Sequence, residues 1–176
     1  NDGNFWDPGA NRVSGVYISG GERLLIESNL FDHNGWDESY LWDGSALAGQ
    51  PPSAFSHNVY IQYDVDDITF RDNIIMRAAS QGAQVRPGGV IEGNAYIDNN
   101  VGGNFLGAAA RGAAETGYYS IFSDNLVTSA GHKEAKHLQG ALSMGIDNAG
   151  YLSSLHGNIV AHLHDPNNDA DRLAKH

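Results

Sequence analysis

Cysteine is absent from the 176 residues, which excludes disulfide staples and thiolate metal sites. That absence leaves the cellular compartment open. Basic residues are scarce: 10 Lys and Arg stand against 21 Asp and Glu, a formal net charge of -11. A chain this acidic repels phosphate backbones and anionic bilayers, so general nucleic-acid binding and membrane docking are both disfavoured. No run of 18 apolar residues occurs, so no helical membrane span is expected. The chain opens on Asn1 without a visible signal peptide, and the expectation is a mature form or a part of a longer protein. Charged residues make up only 18% and hydrophobic ones 41%, the balance of a folded chain. Its length suits a single domain.

Glycine, by contrast, is abundant at 22 residues, and asparagine is frequent. Both tolerate left-handed backbone angles, so many short elements joined by tight corners are expected. Five segments share one pattern of apolar residues, two small or polar residues, an Asn, and more apolar residues. They read LLIESNLFD (24–32), ITFRDNIIM (68–76), GVIEGNAYID (89–98), SIFSDNLVT (120–128) and SSLHGNIVA (153–161). Their anchors are Asn29, Asn73, Asn94, Asn125 and Asn158, spaced 44, 21, 31 and 33 residues apart. The first spacing is about twice the 21-residue one, and the longer ones fit a turn carrying an insertion, as in stacked solenoids.

A second strand precedes most anchors: GVYIS (15–19), NVYIQY (58–63), AQVR (83–86) and ALSMGI (141–146). Alternation with period two predicts Val16, Ile18, Val59, Ile61, Ala83 and Val85 inside. Tyr17, Tyr60, Gln62, Gln84 and Arg86 are predicted to face out. The recurrent Asn is read as structural, occupying a left-handed bend and bonding its counterparts in a ladder.

On these coils the chain resembles the pectate-lyase-like superfamily of right-handed parallel β-helices over roughly residues 12–165. The fold class is then all-β, a solenoid of about five to seven coils in one domain over 1–176, expected to be part of a larger protein. Inserted loops would lie at about 36–56 and 103–117. No complete pectate-lyase, polygalacturonase or alginate-epimerase signature is present, and FDHNGWD (31–37) only echoes one. The resemblance implies an exported protein, secreted, periplasmic or at the cell surface, with a polysaccharide as its partner. It leaves the oligomeric state open; no coiled-coil heptads argue for a trimer.

Function in such a fold sits on outer faces and inserted loops. Trp36, Tyr40 and Trp42 put three aromatics in the first loop, where they would stack on sugars or anchor the loop. Arg71, Arg77 and Arg86 fall close together in an otherwise acidic chain, with His57 and Tyr60 one coil earlier. This inventory suits β-elimination on a uronic-acid polysaccharide. Arg86 would neutralise the carboxylate through two parallel hydrogen bonds. His57 would be the base, and Tyr60 the acid, or the base where a guanidinium favours its anion. Asn58, Gln84, Arg77, Trp36, Trp42 and His33 are the substrate-binding candidates.

Two other chemistries compete. Asp64, Asp66 and Asp67, with Asp32, Asp37 and Glu38 one coil earlier, offer the paired carboxyls of a glycoside hydrolase, or ordinary turn residues. The same Asp64, Asp66 and Asp67 are the candidates for calcium, the one cofactor considered, since elimination by these side chains requires none. His162 and His164 would face one way on a strand, as zinc ligands do, with His156 and Asp165 nearby. The non-enzymatic alternative is a sugar-binding or structural shaft like a tailspike or an adhesin.

Overall fold

The computed structural model describes residues 14–35, 55–78, 80–99, 101–104, 119–128 and 153–161. Every regular element among them is a β-strand. A first pass of the chain forms β1 (Val16–Ile18), β2 (Gly21–Glu27) and β3 (Leu30–Asp32). A second forms β4 (Val59–Ile61), β5 (Val65–Arg71) and β6 (Ile74–Met76). The third is β7 (Gln81–Val85), β8 (Gly89–Glu92) and β9 (Ala95–Ile97). The fourth is β10 (Val101–Asn104), β11 (Ser120–Ser123) and β12 (Leu126–Thr128), followed by β13 (Ser153–His156) and β14 (Ile159–Ala161).

Successive passes stack in register into three sheets, ordered β1-β4-β7-β10, β2-β5-β8-β11-β13 and β3-β6-β9-β12-β14. Every pairing is parallel. An all-β chain that visits three parallel sheets in a repeated order is consistent with a β-helix-like solenoid.

Register turns the repeat into columns of like side chains. Ile26, Phe70, Ile91, Phe122 and Leu155 align down the second sheet. Phe31, Ile75, Tyr96, Val127 and Val160 align down the third. Aromatic rings continue from pass to pass, with Phe31 stacked on Phe70 and Tyr96 on Phe122 at centroid distances of 6.2 and 5.9 Å. Within β5 the alternation is broken on purpose. Val65 and Ile68 are both buried although three positions apart, because Asp67 (φ 52) turns left-handed between them and resets the period. Arg23 (φ 55) does the same one pass earlier in β2.

The corner between the second and third sheets carries the Asn ladder. Oδ1 of Asn73, Asn94, Asn125 and Asn158 each accepts from the backbone N–H and the Nδ2 of the preceding Asn, at 2.9–3.1 Å. The left-handed bend, however, is not at the Asn. It falls on the residue before it, at Ser28, Asp72, Gly93, Asp124 and Gly157 (φ 55 to 66). The Asn itself turns its amide inward to close the polar groups that the bend exposes.

Val59, Ile61, Ala83 and Val85 are buried, and Tyr17 is exposed. Gln84 departs from the expected outward exposure. It aligns with Tyr60, but all five residues of β7 are buried, so its amide is closed off from water. Close approach of neighbouring passes is also strict at Gly82. A Cβ there would lie 2.7 Å from the Gly102 carbonyl oxygen and 3.0 Å from the Asn99 side chain. Gly82→Ala is therefore expected to cost about 2 kcal/mol of stability through overpacking, read as a lowered urea midpoint with an unchanged slope.

Candidate functional site

The first sheet brings the candidate groups together. Its register aligns Tyr17 with Tyr60 on adjacent strands, so both rings project from one face, 5.5 Å apart and tilted by 33°. Tyr60 is half-buried, and its phenol oxygen accepts a hydrogen bond from Arg86 Nη1 at 2.9 Å. Arg86 reaches this place because its backbone N–H bonds the Ile61 carbonyl at 3.1 Å, extending the β4–β7 register past the end of β7. Gln62 follows β4 and donates from Nε2 to the Tyr17 phenol oxygen at 3.2 Å. Tyr17, Tyr60, Gln62 and Arg86 thus form one continuous outward patch.

His57 lies behind this patch rather than on it. Its ring packs on Tyr60 at 5.2 Å, only 4% of the residue is exposed, and Nδ1 is buried with no hydrogen-bond partner. Burial pushes its pKa down to about 4, because the charged imidazolium would lose its hydration. The imidazole is therefore neutral at pH 7, the state a base requires, but closed off from a polysaccharide.

Asn58 is fully buried and committed to the corner between the third and first sheets. Its Oδ1 accepts from the backbone N–H and Nδ2 of Asn34, both at 3.0 Å, and its Nδ2 donates to the carbonyls of Met76 (2.7 Å) and Phe31 (3.3 Å). Asn99 acts likewise at the same corner, accepting from the Ala78 N–H at 3.0 Å. His33 (φ 53), Arg77 (φ 55) and Asp98 (φ 52) are the left-handed residues there. Sequence reading overlooked this second set, although the signal exists: Asn34, Ala78 and Asn99 each stand five residues after a ladder Asn.

The three clustered arginines separate onto different faces. Arg77 grips Asp32 through Nε–Oδ1 (2.7 Å) and Nη2–Oδ2 (2.6 Å), and this hydrogen-bonded guanidinium holds the Asp32 carboxyl below its ordinary pKa. Arg71 lies on the second sheet between Glu27 (2.9 Å) and Glu92 (3.9 Å). Only Arg86 joins Tyr60 on the first sheet.

The aspartates also disperse. Asp64 accepts from Ser19 Oγ at 3.0 Å. Asp66 and Asp67 line a cleft of about 320 Å³ with Val65, Ile68, Pro87 and Tyr119, whose phenol donates to Asp67 at 3.3 Å. Partial burial and the neighbouring Asp67 charge both raise the Tyr119 pKa. Among the described residues no three His, Asp or Glu side chains are grouped to hold a metal ion, so Asp64, Asp66 and Asp67 form no such set. Trp36, Asp37, Glu38, Tyr40, Trp42, His162, His164 and Asp165 lie outside the described residues, as do most of both loops and the strand expected at 141–146.

Comparison with known proteins adds no relative. No family model, no curated protein and no solved structure matches this chain.

Proposed function

We propose that this chain is a stack of coils of a right-handed parallel β-helix of the pectate-lyase-like kind, and that it cleaves an extracellular acidic polysaccharide by β-elimination. The observation that carries the reading is the 2.9 Å hydrogen bond from Arg86 to the Tyr60 phenol, on the outward face of the first sheet beside the exposed Tyr17. A guanidinium offers a uronate carboxylate two parallel hydrogen bonds, which lessens the negative charge opposing loss of the C5 proton. The C4–O bond breaks as the C4–C5 double bond forms, and the departing oxygen takes up a proton. In a syn elimination both proton transfers occur on one face of the sugar, so Tyr60 can serve both. Arg86 puts positive charge against the oxygen on which negative charge develops. Tyr17 supplies an aromatic face one strand away on which a neighbouring sugar ring would stack.

His57 takes a different part in this reading from the base expected of it: a neutral, buried ring that supports Tyr60. The same burial favours a second reading, a non-catalytic sugar-binding shaft, because it removes the nearest ordinary base from solvent.

A panel of uronic-acid polymers separates these readings. Elimination produces the ultraviolet absorbance of a conjugated unsaturated uronate, hydrolysis produces reducing ends without it, and a shaft binds without either product. Tyr60→Phe and Arg86→Ala are each expected to lower kcat/KM by about 100-fold. Tyr60→Phe should leave polymer affinity nearly intact, whereas Arg86→Ala should weaken it. Full turnover in Tyr60→Phe would remove Tyr60 from the mechanism.

A further inference from the structure

The cleft at the corner between the first and second sheets has no part in the elimination. Two stacked turns build it. The Val65 N–H bonds the Gln62 carbonyl at 3.3 Å, and one pass later the Gly88 N–H bonds the Val85 carbonyl at 3.2 Å. Each turn leads from the outward patch into the cleft: Gln62 and Arg86 stand before it, and Val65 and Pro87 line it. Tyr119 closes a further side, drawn in because its carbonyl accepts from the Gly89 N–H at 3.1 Å. So close an approach requires glycine. A Cβ on Gly88 (φ 85) would lie 2.7 Å from the Tyr119 carbonyl oxygen, and one on Gly89 (φ 117) would lie 2.5 Å from that of Ile68.

Its make-up is that of a small ligand site: about 320 Å³, walled by Val65, Ile68 and Pro87, with a few polar side chains gathered on it. Those polar groups are Asp66, Asp67 and Tyr119. Both aspartates are exposed, and among the described residues no ion pair joins either of them to a cation. Glu22 aligns with Asp66 one pass earlier and adds negative charge, while Arg23 beside it forms no ion pair with either aspartate. An ionised carboxylate only accepts hydrogen bonds, and the Tyr119 phenol occupies one oxygen of Asp67. A ligand suited to this cleft therefore brings several O–H donors, an apolar face for Tyr119 and Pro87, and no negative charge.

We propose that the cleft holds a neutral sugar unit of the polymer whose uronate lies on Arg86, so that the substrate is a heteropolymer joining uronates to neutral sugars. The inference rests on the elimination reading for the place of the uronate. Arg86 is bonded to Pro87, so the two positions are neighbours along one surface. Asp66 and Asp67 accept hydrogen bonds from the hydroxyls of the neutral unit, and its C–H face lies on the Tyr119 ring. A second uronate at that position would set its carboxylate against two others. Polymers made of uronate alone are thereby selected against.

Calorimetric titration at one ionic strength tests this preference. Rhamnogalacturonan and deacylated gellan supply uronates joined to neutral sugars; polygalacturonate and alginate supply uronates alone. The wild-type chain is expected to bind the mixed polymers about tenfold more tightly than the pure ones. Asp66→Asn combined with Asp67→Asn removes both charges at constant shape, and Asn tolerates the left-handed backbone of residue 67 (φ 52). That double variant should erase the preference, and Asp66→Arg should reverse it. Asp72→Asn combined with Asp124→Asn changes the net charge equally at the corner between the second and third sheets, and should leave the preference intact. Equal binding of both classes by the wild-type chain, binding of none of the four polymers, a preference unmoved by the cleft variants, or one lost equally in the distant pair would each overturn the proposal. Binding is read without turnover. A preference that follows the cleft variants while no polymer yields the ultraviolet product would uphold the cleft and remove only the elimination.

Discussion

Asn94→Ala is expected to unfold in urea with a stability about 4 kcal/mol below that of the wild-type chain. Asn94 is buried at the middle of the ladder. Its Oδ1 accepts from the N–H and Nδ2 of Asn73, both at 3.0 Å, and its Nδ2 donates to the Phe70 carbonyl (2.9 Å), the Glu92 carbonyl (3.1 Å) and Asn125 Oδ1 (3.0 Å). Alanine removes all five bonds and supplies nothing in their place. The Asn73 N–H is then left buried without a partner, which costs about 1–3 kcal/mol by itself because water cannot reach it. The amide donors lost to Phe70 and Asn125 add to that. Asn29→Ala is the internal control. Asn29 is exposed at the end of the same ladder, so water replaces the bonds that it loses, and a cost of about 1 kcal/mol or less is expected. Equal losses in the two variants would show that the ladder contributes no more in the interior than at its edge.

Acid should destabilise the chain through His57 by about 3 kcal/mol. Burial lowers its pKa from the ordinary 6.5 to about 4 in the folded chain. Between those values the unfolded chain binds a proton that the folded chain refuses. The stabilisation from holding the imidazole neutral is thus complete above about pH 6.5 and is lost as the pH falls toward 4. His57→Phe isolates the effect, since an apolar ring of similar size keeps the packing against Tyr60 and cannot titrate. The two proteins should agree within about 1 kcal/mol at pH 7.5. By pH 4 the variant should be the more stable by about 3 kcal/mol. Other acid-sensitive groups, including Asp32 with its lowered pKa, remain in both proteins and cancel in the difference. Parallel loss of stability in both would mean that His57 is protonated without penalty. It would then be open to solvent, and its role as the base of the elimination would return.

The corner Asn residues illustrate what a sequence of this kind makes legible. Asn29, Asn73, Asn94, Asn125 and Asn158 could be found because an identical geometric task recurs at each pass and one residue type performs it. Asn58 could not be read in this way. It directly precedes β4, as each ladder Asn directly precedes a strand, but it enters the second corner set from the far side of a long insertion, so the spacing does not mark its task. The three arginines make the complementary point. Arg71, Arg77 and Arg86 lie close in sequence, but each pass turns through three sheets, which sends them to separate faces. Arg86 and Tyr60, 26 positions apart, meet because successive passes superimpose.

The sequence by itself determined the repeat, most of its strands and the inward positions Val59, Ile61, Ala83 and Val85, since local alternation and corner chemistry are written in neighbouring residues; β10, at the edge of an expected insertion, was not legible. Only the tertiary structure decided which polar groups remain on the surface. Whether Gln84 or His57 meets water depends on what neighbouring passes lay over it, and a side chain's exposure is a property of those neighbours rather than of its own position in a strand.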